Sequence, residues 1–169
     1  MQRLSSPSTR TGVRGVLTIH SCPLALRRHI DWAIANILGS SIQLQWQQQF
    51  VLAGTYKASC EWKTNVERAA EIASTLRSWH YLYFEVQESN DNGGELFRFT
   101  PELGIHRVLT DLSGAALLNE NQINSLLRTC LDEDGIREAF AKNLGAPWDL
   151  ELDKFRGAGI QELTRLHAI

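Results

Sequence analysis

The residues of this chain best placed to do chemistry are His20 and Cys22, two positions apart, with Ser21 between them and Pro23 following. Residues 13–20 alternate as a strand, and Pro23 suits the first turn of a helix, where its missing N–H would have had no partner. That arrangement sets the Cys22 thiol at the positive end of a helix, which eases loss of its proton and makes it a candidate nucleophile beside His20. No third group that would orient the pair is identifiable, so the plainer reading is a small cysteine in a capping region next to a strand-end histidine. Both side chains are metal-ligand types, but a zinc site needs three or four ligands, and His29, His80, His106 and His167 form no cluster with them. We expect no metal and no cofactor.

The remaining chemical candidates are weaker. Glu85, Glu88 and Asp91 lie near a strand end and Asp132, Glu133 and Asp134 lie between helices; acid–base work would need them convergent in a pocket, and solvated loops are the simpler expectation. Gly93-Gly94 and Gly157-Ala158-Gly159 lack the strand-to-helix context of a phosphate cradle and read as turns.

The elements that must position these groups follow from hydrophobic period. Strand one, residues 13–20, sets Val13, Leu17 and Ile19 on one face and Arg14, Val16, Thr18 and His20 on the other. Leu26, Ile30, Ala33, Ile34, Ile37 and Leu38 stripe a first helix that Gly39 closes as a left-handed cap. Ile42, Leu44 and Trp46 alternate with Gln43, Gln45 and Gln47, and Tyr56, Ala58, Cys60 and Trp62 with Lys57, Ser59, Glu61 and Lys63; these two strands make a hairpin through Gly54. Thr64 and Glu67 form the pattern of a capping box for a second helix carrying Val66, Ala69, Ala70, Ala73 and Leu76. A fourth strand, residues 81–87, faces the core with Leu82, Phe84 and Val86 and shows Tyr81, Tyr83 and Glu85 to the other side.

Strand, helix, strand, strand, helix, strand is the ferredoxin-like order, so the expected fold is α+β with residues 13–88 as a ferredoxin-like half. The Asn/Asp/Gly turn at 90–94 leads into residues 95–169: a β-hairpin at 95–100 and 105–110, a short strand at 115–118, and a helical pair. Asn119 and Gln122 cap its first helix, with Ile123, Leu126, Leu127, Cys130 and Leu131; the second begins near Asp134 and stops at Gly145. A tail with Trp148, Leu150, Leu152, Phe155, Leu163 and Leu166 is apolar enough to pack back. Residues 1–12 read as a flexible leader and 13–169 as a single domain. Both helices are expected on one face of the sheet; the competing layout has the back half fold over the second face and bury Val16, Thr18 and Tyr83.

At 169 residues, 43% hydrophobic and 21% charged, the composition is that of an ordinary globular chain, and a net charge of -2 supplies no basic field for nucleic acid or an anionic membrane. An RNA-recognition module shares the strand order, but its aromatic recognition motif is absent. Three separated cysteines argue for a reducing cytoplasm rather than a disulfide framework.

The strings GVRGVLTIHSCPLALRRHIDWAIANILG, SWHYLYFEV, FTPELGIH and APWDLELDKFRGAG resemble an actinobacterial family described only as a domain of unknown function, over nearly all of the chain beyond residue 12. The resemblance implies a cytoplasmic actinobacterial protein and transfers no catalytic residue; genes of that family sometimes neighbour fatty-acid synthesis genes, which bears only on the choice of partner. The expected function is a non-catalytic regulator or assembly factor that binds another protein, or itself through a sheet edge, with Trp32, Tyr81, Tyr83, Gln43 and Gln45 as contact residues. The alternatives are a sensor of acyl-CoA or another metabolite, and a thiol enzyme using Cys22 and His20.

Overall fold

The computed structural model describes residues 12–130 and 132–166, with side chains as far as residue 157. The leader before Gly12, Leu131, the side chains of Leu163 and Leu166, and His167 lie outside the described residues.

Strand β1 (Val13–Pro23) runs three residues past its predicted end. Hydrogen-bonded neighbours on both sides hold it extended through a bulge after Ile19, with Cys22 opposite Tyr56 and Pro23 opposite Thr55. Proline's fixed φ suits an extended conformation as well as a helical one, and Pro23 has φ -59 and ψ 144. The expected helix start at Cys22 is therefore corrected: a 3-10 turn (Leu24–Leu26) intervenes, and α1 spans Arg27–Leu38. Gly39 closes α1 by donating its N–H to the Ala35 carbonyl at 2.9 Å, but with φ 101 and ψ 154 rather than in the left-handed well.

Ile42, Leu44 and Trp46 turn inward and Gln43, Gln45 and Gln47 outward as the alternation predicts, yet only β2 (Gln47–Gln49) pairs with β3 (Thr55–Thr64). The segment before β2 is tied to the helix instead, through Trp46 Nε1–H donating to Asp31 Oδ1 at 2.8 Å. The second helix, α2 (Ala69–Leu76), starts later than its expected box. Thr64 Oγ1 donates to the Val66 carbonyl, and Glu67 accepts from the Asn90 side chain. A residue distant in sequence caps α2 instead. The buried carboxylate of Glu88 in β4 (Tyr83–Asn90) accepts the N–H groups of Arg68 and Ala69 and, at 3.1 Å, the indole N–H of Trp62. The Trp62 ring lies over Gly15, where a Cβ would come within 2.1 Å of it.

β5 (Gly93–Thr100), β6 (Gly104–Thr110) and β7 (Ala116–Leu117) complete a seven-stranded antiparallel sheet ordered β2-β3-β1-β4-β5-β6-β7. Gly93 and Gly94 belong to β5 rather than to the turn itself. Helices α1 and α2 cover one face, burying Leu17, Ile19, Ile34, Ile72, Leu76, Phe84, Val86 and Phe99. Fully burying each such side chain contributes about 1.5–3 kcal/mol relative to leaving it in water.

The capping box of Asn119 and Gln122 forms at the start of α3 (Glu120–Thr129), and Asp132 caps α4 (Glu133–Leu144). Gly145, left-handed with φ 94 and ψ 14, turns the chain directly into α5 (Ala146–Leu166). That tail is one helix continuing through Gly157, not the turn its glycines suggested. It lies on the second face of the sheet, where Trp148, Leu152 and Phe155 are buried and Trp148 donates its indole N–H to the Gly104 carbonyl. The outcome lies between the two expected layouts: Tyr83 is 8% exposed under Phe155 and Thr18 is half-buried, while Val16 remains 38% exposed. Among the described residues no helix is long and apolar enough to cross a membrane.

Candidate functional site

His20, Thr18 and Val16 point to the second face of β1, and Glu85 sits opposite Thr18 on β4. His20 Nε2 donates to Glu85 Oε2 at 2.6 Å. From α5, Arg156 donates Nε to Glu85 Oε2 at 3.1 Å and Nη2 to Glu85 Oε1, and its Nη2 also reaches Asp149 Oδ1 at 3.0 Å. Asp149 in turn accepts from Arg98 of β5, Nη2 to Oδ2 at 3.1 Å, with Arg98 Nε 2.9 Å from Oδ1 but too misaligned for a second bond. Arg98 Nη1 stands 3.4 Å from His106 Nδ1, and His106 Nε2–H donates to the Asn143 carbonyl at 2.9 Å. Imidazole, carboxylate, guanidinium, carboxylate, guanidinium and imidazole thus run in one line between sheet and helix.

The line sets its own protonation states. Burial pushes the Glu85 carboxyl up, but donation from His20 and Arg156 outweighs it and holds the group down at about 2. Burial lowers the His106 pKa, and the Arg98 guanidinium adds to that against the pull of the Asn143 carbonyl. With Nε2–H committed to Asn143, the neutral ring offers Nδ1 as the acceptor facing Arg98. Every charge is matched by an opposite one, so the arrangement holds α5 in place rather than presenting a poised acid or base.

Cys22 is fully buried in the core, and burial, opposed by Arg27 and helped by Asp31, pushes its thiol up to about 12. Its side chain donates to the Pro23 carbonyl, away from the Glu85 line that holds His20. The premise of a dipole-activated thiol is corrected, because strand pairing rather than a helix N-terminus surrounds it. Cys60 is raised as well, to about 11 by burial, and the three cysteines are free. Among the described residues no three His, Cys, Asp or Glu side chains stand together as a metal site.

Three of the five contact candidates, Trp32, Gln43 and Gln45, line two grooves. Trp32, 71% exposed, stands on α1 beside a groove of about 430 Å³ whose walls are Asp31, Ile34, Ala35, Ser40, Ile42, Gln43 and Leu44. Gln45 and His20 instead line a cavity of about 240 Å³ on the second face with Thr18, Gln47, Gln49, Ser59 and Phe155. Tyr81 is as exposed as Trp32 but belongs to the end of the sheet. Tyr83, expected on an open face, is the exception: α5 covers it, and its hydroxyl donates to Glu102 Oε1 at 2.8 Å. Burial and that carboxylate raise its pKa to about 12.

A family model described as "Protein of unknown function (DUF3145)" matches residues 16–167. The chain belongs to that family. No curated protein and no solved structure matches it. The family match spans all six residues of this line, four of which the sequence reading passed over: Arg98, Asp149, Arg156 and, as a partner for the others, His106. One signal was available. Asp149 and Arg156 are seven residues apart, two helical turns, and share a face with Leu152 and Phe155, so an apolar helix stripe there carries a charge pair that needs partners on the sheet.

Proposed function

We propose that this is a cytoplasmic, non-catalytic regulator or assembly factor that binds another protein, and that its front half, with strands ordered β2-β3-β1-β4, is a ferredoxin-like unit. The observation that carries the binding role is the α1 groove: Ile34, Ala35, Ile42 and Leu44 line it together with an exposed Trp32. A tryptophan held mostly in water on a packed helix forgoes about 1.5–3 kcal/mol of burial, and interfaces draw their anchors from such residues. The helical pair supports the same role, since no residue of α3 or α4 is fully buried although Ile123, Leu126, Ile136 and Phe140 stripe them. The polar chemistry, by contrast, is consumed internally in holding α5. The resemblance read from the sequence directs the first search for a partner to proteins of fatty-acid metabolism.

The test is affinity purification of the tagged chain from its own cells at native level. A stoichiometric partner that is lost on Trp32→Ala, with unchanged circular dichroism, supports the reading; recovery of the chain alone under gentle lysis overturns it. Tyr83→Ala is unsuited to this purpose because it would unseat α5.

One observation favours a second reading. The cavity beside His20 is lined by Gln45, Gln47, Gln49 and Ser59, an amide-rich wall that suits a small polar metabolite better than an acyl chain. Thermal shift against amino acids, nucleotides and acyl-CoAs separates the two, a concentration-dependent rise with one class supporting a sensor and flat curves removing it.

A further inference from the structure

Turns in water-facing hairpins are built from Gly, Asn, Asp, Ser and Pro. The turn between β2 and β3 reverses that habit. Residues 50–54 are Phe-Val-Leu-Ala-Gly, all exposed, with Phe50 at 67%. Its polar groups are satisfied within the chain: buried Gln49 donates Nε2–H to the His20 carbonyl at 2.7 Å and accepts from Val51 N–H at 3.0 Å, while Thr55 donates to the Leu52 carbonyl through both N–H and Oγ1. A turn fixed this firmly displays its apolar side chains by construction.

Register places further exposed apolar residues at the same end of the sheet. Thr55 lies opposite Pro23, so Leu24 follows beside the turn; Ser21 lies opposite Tyr83, so Tyr81 comes next; and Phe84 opposite Phe99 brings the β5–β6 turn and Leu103 to this end. At about 4.8 Å per strand these tips span roughly 20 Å. Arg28 at the start of α1 and Arg77 at the end of α2 flank them, both exposed, with His29 and His80, and Arg27 held between the Tyr56 and Trp46 rings. Glu102 is the exposed acid of the row, and Glu151 and Lys154 on nearby α5 pair with each other. The opposite end mixes Arg14, Lys63, Arg68 and Arg107 with Glu67, Glu71, Asp91, Glu95 and Asp111.

We infer that this end of the sheet docks on an anionic lipid surface, with Phe50, Val51, Leu52, Leu24, Tyr81 and Leu103 entering the headgroup region and Arg28 and Arg77 meeting lipid phosphates. Separate apolar turn tips suit a deformable lipid interface, which needs no complementary pocket, and Tyr is at home at that depth. A second copy of the chain is disfavoured, since a two-fold contact here would oppose like cations. The inference is independent of the α1 groove, which lies on the helix-covered side.

Co-sedimentation of the full chain with vesicles of phosphatidylcholine alone, and of phosphatidylcholine with phosphatidylglycerol, tests it. Binding is expected to the anionic vesicles, weakened about tenfold or more by Arg28→Gln with Arg77→Gln and by added salt. Phe50→Ser with Leu52→Ser abolishes it, and Leu112→Ser, a comparably exposed leucine at the opposite end, leaves it intact. The substituted residues are exposed, so the variants fold. No binding to either vesicle, equal binding by the Phe50/Leu52 variant, or loss of a partner protein by that variant without any vesicle binding overturns the inference.

Discussion

Glu85 is the residue on which the protonation of the molecule turns. Its carboxyl is held at about 2 in the folded chain against about 4.5 without the fold's partners. A depressed carboxylate stabilises the fold above its unfolded pKa, and that contribution, on the order of 3 kcal/mol, is lost as pH falls from about 4.5 to about 2. His106 acts earlier: its lowered pKa means that the unfolded chain binds a proton first, so stability begins to decline as pH drops through about 6.5. Urea melts across pH should show a shallow decline followed by a steep one, and Glu85→Gln should remove the steep step while costing about 2 kcal/mol at neutral pH. Gly15 answers to packing alone. Gly15→Ala drives a methyl into the buried Trp62 ring and should destabilise by about 1–3 kcal/mol, read as a shift in denaturation midpoint.

At the level of elements, α2 and α5 are both held by side chains from distant strands. Glu88 does for α2 what a local box was expected to do, because the β4 strand end lies against the first turn of the helix and a carboxylate there meets two free N–H groups and the dipole together. Glu88→Gln should cost about 1–2 kcal/mol and increase hydrogen exchange in the first turn of α2, whereas Thr64→Ala should change stability by less than about 0.5 kcal/mol. The hold on α5 is ionic. Arg156→Met leaves Glu85 buried with only His20 beside it, and about 2 kcal/mol of destabilisation is expected, discounted because the Arg156 side chain is 34% exposed. Hydrogen exchange should rise in α5 first and leave β1 and β4 protected. Gly145 belongs to the same device, since a side chain there would strike Arg98 and His106.

Across the whole molecule, one face of the sheet carries the core and the other is shared between α5 and water. That division makes surface and stability separable: Trp32→Ala should leave the melting temperature unchanged, with less than about 0.5 kcal/mol of effect, and alter only association, measured by partner recovery. Net charge is likewise a sum that hides an arrangement. At -2 it argued against anionic surfaces, yet the fold sets Arg28 and Arg77 at the apolar end with Glu102 as its exposed acid, and Glu67, Glu71, Asp91, Glu95 and Asp111 at the other.

Alternation of Leu17 with Thr18, Trp62 with Glu61 and Phe84 with Glu85 was enough to locate the strands and name the core, because burial on one face imposes a period of two on the residues themselves. Local capping was legible where partners are three residues apart, as at Asn119 and Gln122, and failed where the better partner, Glu88, is twenty residues from Arg68. The extension of β1 through Cys22 was decided by neighbours on both sides, since a proline tolerates strand and helix alike and only the sheet's hydrogen bonds choose between them. The cover over Tyr83, the six-residue line from His20 to His106 and the common end shared by Phe50, Tyr81 and Leu103 depend on which elements meet, and contacts across more than sixty residues leave no period in the chain to read.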